Sequence, residues 1–93
     1  MDRPVDFAWD SRKAGTNEQK HAVTFEFATA VFLDPRLVIV NTTRPEDGEQ
    51  RYKAIGAVNG KLYAVIFARS GAIGRLISAR RTNPKEDRIY GDR

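Results

Sequence analysis

The sequence predicts an α+β fold: two N-terminal helices packed on an antiparallel β-sheet meander, with a short C-terminal helix. Three observations carry this. Helix-period segments precede Pro35 and strand-period segments follow it, Asn59-Gly60 separates two apolar runs, and Asn83-Pro84 opens a last amphipathic stretch. Helices followed by a run of strands favour segregated layers over a parallel α/β sheet. At 93 residues the chain has room for one domain. With 41% hydrophobic and 30% charged residues it is expected to be globular rather than disordered.

Val5, Phe7 and Trp9 alternate with Asp6 and Asp10, the period of a short half-buried strand. Asp10 is placed to cap an exposed polar helix over Ser11 to Lys20, in which Gly15 costs about 1 kcal/mol. Thr24 is a second N-cap candidate, and Phe25, Ala28, Thr29 and Phe32 follow on one helical face. Asp34-Pro35 ends that helix, because proline lacks a backbone donor and disfavours helical geometry at the residue before it. Leu37 to Val40 reads as a strand and Asn41 to Gln50 as a polar loop. Arg51 to Val58 and Lys61 to Ala68 form a hairpin, since Asn-Gly accepts the positive φ angles of a type I′ turn. Ser70-Gly71 returns the chain into a strand over Arg75 to Ala79. Asn83 as cap, Pro84 at the first helical position and Glu86 three residues after the cap make a capping box, and Gly91 ends the helix.

Composition narrows the chemistry. The chain has no cysteine, which excludes disulfides, thiolate metal sites and thiol catalysis. With one histidine and scattered carboxylates, no metal site or cofactor is expected. No run approaches the roughly 20 apolar residues of a membrane span, and the start lacks a signal-peptide core, so a cytoplasmic location is expected. The net charge is +4, its excess concentrated in GRLISARRTNPK, which suits an anionic partner.

The segment FAWDSRKAGTNEQKHAVTFEFATAVFLDP carries Trp9, Asp10, Lys13, Asn17, Lys20, His21, Val23, Phe25 and Glu26, and GRLISARR carries Arg75, Ile77, Ser78, Ala79, Arg80 and Arg81. In order and spacing these resemble the two signatures of BrnT-type toxins, with Arg51, Gly56 and Tyr90 also at family positions. The resemblance spans Phe7 to Tyr90. It implies a RelE-like ribonuclease of a type II toxin–antitoxin pair, neutralised by a BrnA-type antitoxin that carries its own DNA-binding domain. The complex would repress its operon, reaching operator DNA only through the antitoxin. One stretch departs from the pattern. Where the family has an Arg just before the turn glycine, this chain has Phe67, Ala68, Arg69 and Ser70, so the arginine is displaced by one position and turned to the other side of its strand.

RNA is cut without a metal when a base takes the 2′-hydroxyl proton, a cation stabilises the phosphorane and an acid protonates the leaving oxygen. His21 suits either proton role, because histidine titrates near neutrality, and it equally suits packing at the junction of the two helices. Lys13, Asn17 and Lys20 or His21 recur at steps of three or four and share a helical face, either as a phosphate site or as a solvated face. Arg75 and Arg80 are the leading candidates for binding phosphate and stabilising the transition state; a rim contact to an acidic antitoxin is the other reading. Strict alternation puts Arg75 and Arg81 with Ile77 and Ala79 on one face, and Arg80 with Ser78 on the opposite one. The catalytic candidates are thus Arg75, Arg80, His21 and Lys13, and the RNA-binding candidates Lys20, Arg51, Arg81 and Tyr90. Tyr90 either stacks on a base or packs, and Trp9, Phe7, Phe25, Phe32 and Phe67 are expected in the core. A basic RNA-binding or antitoxin-like interaction module without catalysis is the rival function.

Overall fold

The computed structural model describes residues 2–92. In chain order these form β1 (Asp6–Ala8), α1 (Ser11–His21), α2 (Phe25–Ala28), a 3-10 helix (Thr29–Leu33), β2 (Val38–Asn41), a 3-10 turn (Pro45–Asp47), β3 (Arg51–Val58), β4 (Lys61–Ser70), β5 (Ile73–Arg81) and α3 (Pro84–Gly91). The strands make one sheet in the order β1-β5-β4-β3-β2. The meander from β2 to β5 is antiparallel as expected, but the sheet is mixed, because β1 pairs parallel with β5. The strand expected around Val5 to Trp9 shortens to three residues, since only Asp6 to Ala8 find partners on β5.

Local chemistry accounts for the boundaries. Asp10 accepts from the Arg12 N–H and caps α1, which ends where Ala22 turns left-handed at φ 57°. Thr24 accepts from the Phe27 N–H. The single helix expected after it is instead one α-turn followed by a 3-10 helix, an arrangement that brings this segment close against β3. At the contact, a Cβ on Gly56 would stand 2.8 Å from the Val31 carbonyl oxygen, so glycine lets the two backbones meet. Asn59 and Gly60 both take positive φ, at 53° and 79°, as the β3–β4 turn requires. Asn83 and Glu86 form the capping box of α3.

One face of the sheet carries the core. Val23, Phe25, Ala28, Val31 and Phe32 pack on Tyr52, Ala54, Val65, Phe67, Leu76 and Ala79. Phe32 sits edge-on to Phe67 at 5.3 Å, and Phe7 and Trp9 are half-buried at the margin against Phe32 and Phe25. Asn17, on α1, is buried and fulfils a backbone role: its amide donates to the Ala79 and Val23 carbonyls and accepts from the Ala79 N–H. It thereby satisfies the edge of β5 where the short β1 stops. Among the described residues, no helix is long and apolar enough to cross a membrane.

Candidate nucleic-acid interface

The opposite face of the sheet bears the charge, and an irregularity in β5 creates it. The register runs Val65↔Ala79, Ile66↔Ser78, then Phe67↔Leu76, so Ile77 is an extra residue opposite no partner. Such a bulge resets the alternation of side chains. Leu76 and Ala79, three positions apart, both face the core, which corrects the strict-alternation assignment: Arg75, Ser78 and Arg80 share the outer face, and Arg81 lies with Ala79 on the core side. There Arg81 donates to the Leu62 carbonyl at 3.2 Å and lies 5.5 Å over the Tyr63 ring.

The registers order this face into three rows: Arg51–Ala68–Arg75, Lys53–Ile66–Ser78 and Ile55–Ala64–Arg80. β4 supplies an apolar floor, with cations on β3 and β5 standing about 10 Å apart across it. Two carboxylates reach onto this face. Glu49 accepts from Arg75 Nη2 at both oxygens, 2.6 and 2.7 Å, and from Arg51 at 3.3 Å. The bonds from Arg75 outweigh partial burial and hold the Glu49 carboxyl below its ordinary range. Glu86, on α3, is fully buried and accepts from both Arg80 nitrogens at 2.7 and 2.8 Å, from Lys53 at 2.9 Å and from the Asn83 N–H at 3.0 Å. Burial alone would raise its pKa; these bonds, with the charge of Arg80, overcome it and bring Glu86 down to about 2. Arg80 is raised in turn, chiefly by the bonds it donates to Glu86.

The helical candidates gather at a separate place. Lys13, Lys20 and His21, with Arg12, Thr16 and Asn17, line a cleft of about 330 Å³ between α1 and the bulged part of β5, which contributes Ile77 and Ser78. Lys13, Lys20 and His21 have no side-chain hydrogen bond or ion pair among the described residues. Arg75 and Arg80 do not line this cleft; Ser78 is the residue common to it and the cationic face. Tyr90 is elsewhere, donating to Asp34 Oδ2 at 2.6 Å with Arg36 over its ring at 5.9 Å. Burial would raise Asp34, but bonds from Tyr90 and from the Ala57 and Arg36 N–H groups lower it. The displaced Arg69 faces away from Arg75, ties down the N-terminal segment through the Asp2 carbonyl and braces its own turn through the Gly71 carbonyl.

Residue patterns missed Lys53, Ser78, Glu49 and the second role of Glu86. Lys53 carried a signal, a lysine amid the apolar residues of a central strand, where it needs a reason to be. Glu86 was visible only as a cap. Among the described residues, no three His, Asp or Glu side chains cluster as metal ligands.

No curated protein matches the chain. A family model does match, over residues 9–86, which take in α1, every strand of the meander and the start of α3. That span contains both the cleft and the cationic rows, and the chain belongs to the family described as the ribonuclease toxin, BrnT, of type II toxin–antitoxin systems.

Proposed function

We propose that this toxin is a single RelE-like domain and an endoribonuclease that cuts mRNA without a metal ion, stopping translation and growth. In the cytoplasm a BrnA-type antitoxin with its own DNA-binding domain would hold it in check, so that operator DNA is reached only through the antitoxin. The observation that carries this reading is the bulge at Ile77, which puts Arg75 and Arg80 on one face opposite Arg51 and Lys53. An apolar floor with cations on both sides suits a strand of RNA, whose bases need a flat surface and whose phosphates need charge.

Within this face Arg75 is the group best placed to meet the phosphate. Only its Nη2 is engaged, so Nε and Nη1 have no partner among the described residues, and its side chain is 41% exposed. Arg80 commits both terminal nitrogens to Glu86 and acts as a positioning group for the floor. Lys13, Lys20 and His21 would carry the RNA onward from Ser78 into the α1 cleft, apart from the phosphate that Arg75 meets. Arg51 adds charge on the far side, while Arg81 and Tyr90 support the fold from outside the site.

The test is incubation of the purified toxin with RNA in excess EDTA. New ends bearing 2′,3′-cyclic phosphate are expected; intact RNA, or activity only after a divalent ion is added, overturns the mechanism. One observation favours a binding module without catalysis: both leading guanidinium groups already hold carboxylates. That reading predicts salt-sensitive RNA retention with no new ends.

A further inference from the structure

We propose that Glu49 is the general base of this cleavage, taking the 2′-hydroxyl proton beside a phosphodiester held by an N–H of Arg75 that Glu49 does not engage; the inference rests on the ribonuclease reading above. Glu49 and Glu86 both reach the cationic face with bonds to both oxygens, and only Glu49 is open to a substrate. Glu86 is 1% exposed, and its four bonds occupy both oxygens. Glu49 is 34% exposed and follows Gly48, whose left-handed φ of 69° turns the loop back over the sheet.

The geometry around Arg75 joins base and substrate. A guanidinium offers five N–H donors in one plane. Nη2 of Arg75 holds both Glu49 oxygens, and Nε–H and Nη1 flank it on either side, so a phosphate oxygen accepting from either one lies in that plane, beside the carboxylate. Ala68 is the only residue between Arg75 and Arg51 in this row, and it is buried beneath the Glu49 carboxylate that bridges the two arginines. The charged groups facing Glu49 are Arg75 from β5 and Arg51 from β3, the latter also 3.8 Å from Asp47. Without RNA these cations favour the ionised carboxylate. A bound phosphate draws on the same cations and adds a negative neighbour, which raises the proton affinity of Glu49 when a base is needed.

Glu49 accepts the 2′-hydroxyl proton as the 2′-oxygen bonds to phosphorus. The P–O5′ bond breaks, and the 5′-oxygen takes a proton from a water molecule, whose hydroxide is neutralised by the proton on Glu49. The products are a 2′,3′-cyclic phosphate and a 5′-hydroxyl.

Single-turnover cleavage by wild type, Glu49→Gln and Glu49→Asp would be followed from pH 4 to 8, with binding of a 2′-deoxy analogue measured by fluorescence anisotropy. Glu49→Gln is expected to cleave about 100-fold more slowly or worse, to bind the analogue as tightly as wild type or more so, and to lose the acid limb of the rate profile; Glu49→Asp keeps that limb. Wild type that cleaves beside a Glu49→Gln variant within threefold of it, or a variant whose binding falls as far as its rate, overturns the assignment alone. Wild type that makes no new ends overturns both the assignment and the ribonuclease reading.

Discussion

Replacing Glu86 with glutamine should unsettle this fold more than any other single-atom change on the cationic face. The side chain is 1% exposed and accepts bonds from Arg80, Lys53 and the Asn83 N–H. Stranding the charged partners of a buried carboxylate costs about 3–5 kcal/mol. Here Arg80 and Lys53 keep 32% and 20% side-chain exposure and can turn to water, so about 2–3 kcal/mol is expected. Proton linkage gives an independent figure: a folded pKa of about 2 against an ordinary 4.5 corresponds to about 3 kcal/mol. Because the folded value is the lower one, this stabilisation is present in full above pH 4.5 and is lost as the pH falls toward 2. Urea titrations at pH 7 should show the midpoint of Glu86→Gln about 1–2 M lower with an unchanged slope. The wild-type and variant stabilities should converge as the pH approaches 2. Equal midpoints at pH 7, or two stabilities that fall in parallel through the acid range, would refute the reasoning.

Asn17→Ala removes the acceptor for the Ala79 N–H and the donor to two carbonyls, all buried, and should cost about 2–4 kcal/mol in urea with faster amide exchange at Ala79; protection at Ala79 equal to wild type would count against its strand-closing role. Arg75→Ala should slow RNA cleavage about 100-fold, whereas Arg81→Ala, on the core side of the sheet, should stay within twofold of wild type; equal losses would mean that the two faces are not functionally distinct.

How much was legible in the sequence depended on the range of the interaction. The Asn59-Gly60 turn, the Asp10 and Thr24 caps and the capping box at Asn83 and Glu86 are local, and each stands where its residues implied. The parallel pairing of β1 was not legible, because a three-residue strand does not reveal which edge it joins. Nor was the bulge: Ile77 is a good strand residue and carries no turn chemistry, so alternation through it misplaced Arg75, Arg80 and Arg81 relative to one another. The spacing of Leu76 and Ala79 was the only trace. Asn17 looked like one more polar residue on an exposed helix, since its partner lies 62 positions away. Lys13, Lys20 and His21, related by helical period alone, do share one cleft. Tyr90 meets Asp34 and Arg36, partners more than fifty positions away that no local pattern announces.

The unmatched residue in β5 also constrains how the chain can change length. Deleting Ile77 would restore an unbroken pleat and leave Arg75 and Arg80 four positions apart, still together on the outer face with Leu76 and Ala79 in the core. That one residue is therefore the place where this strand can shorten without losing its cationic face, while the polar stretch 42–50, which has no pleat to keep in step, has to hold only the reach of Glu49.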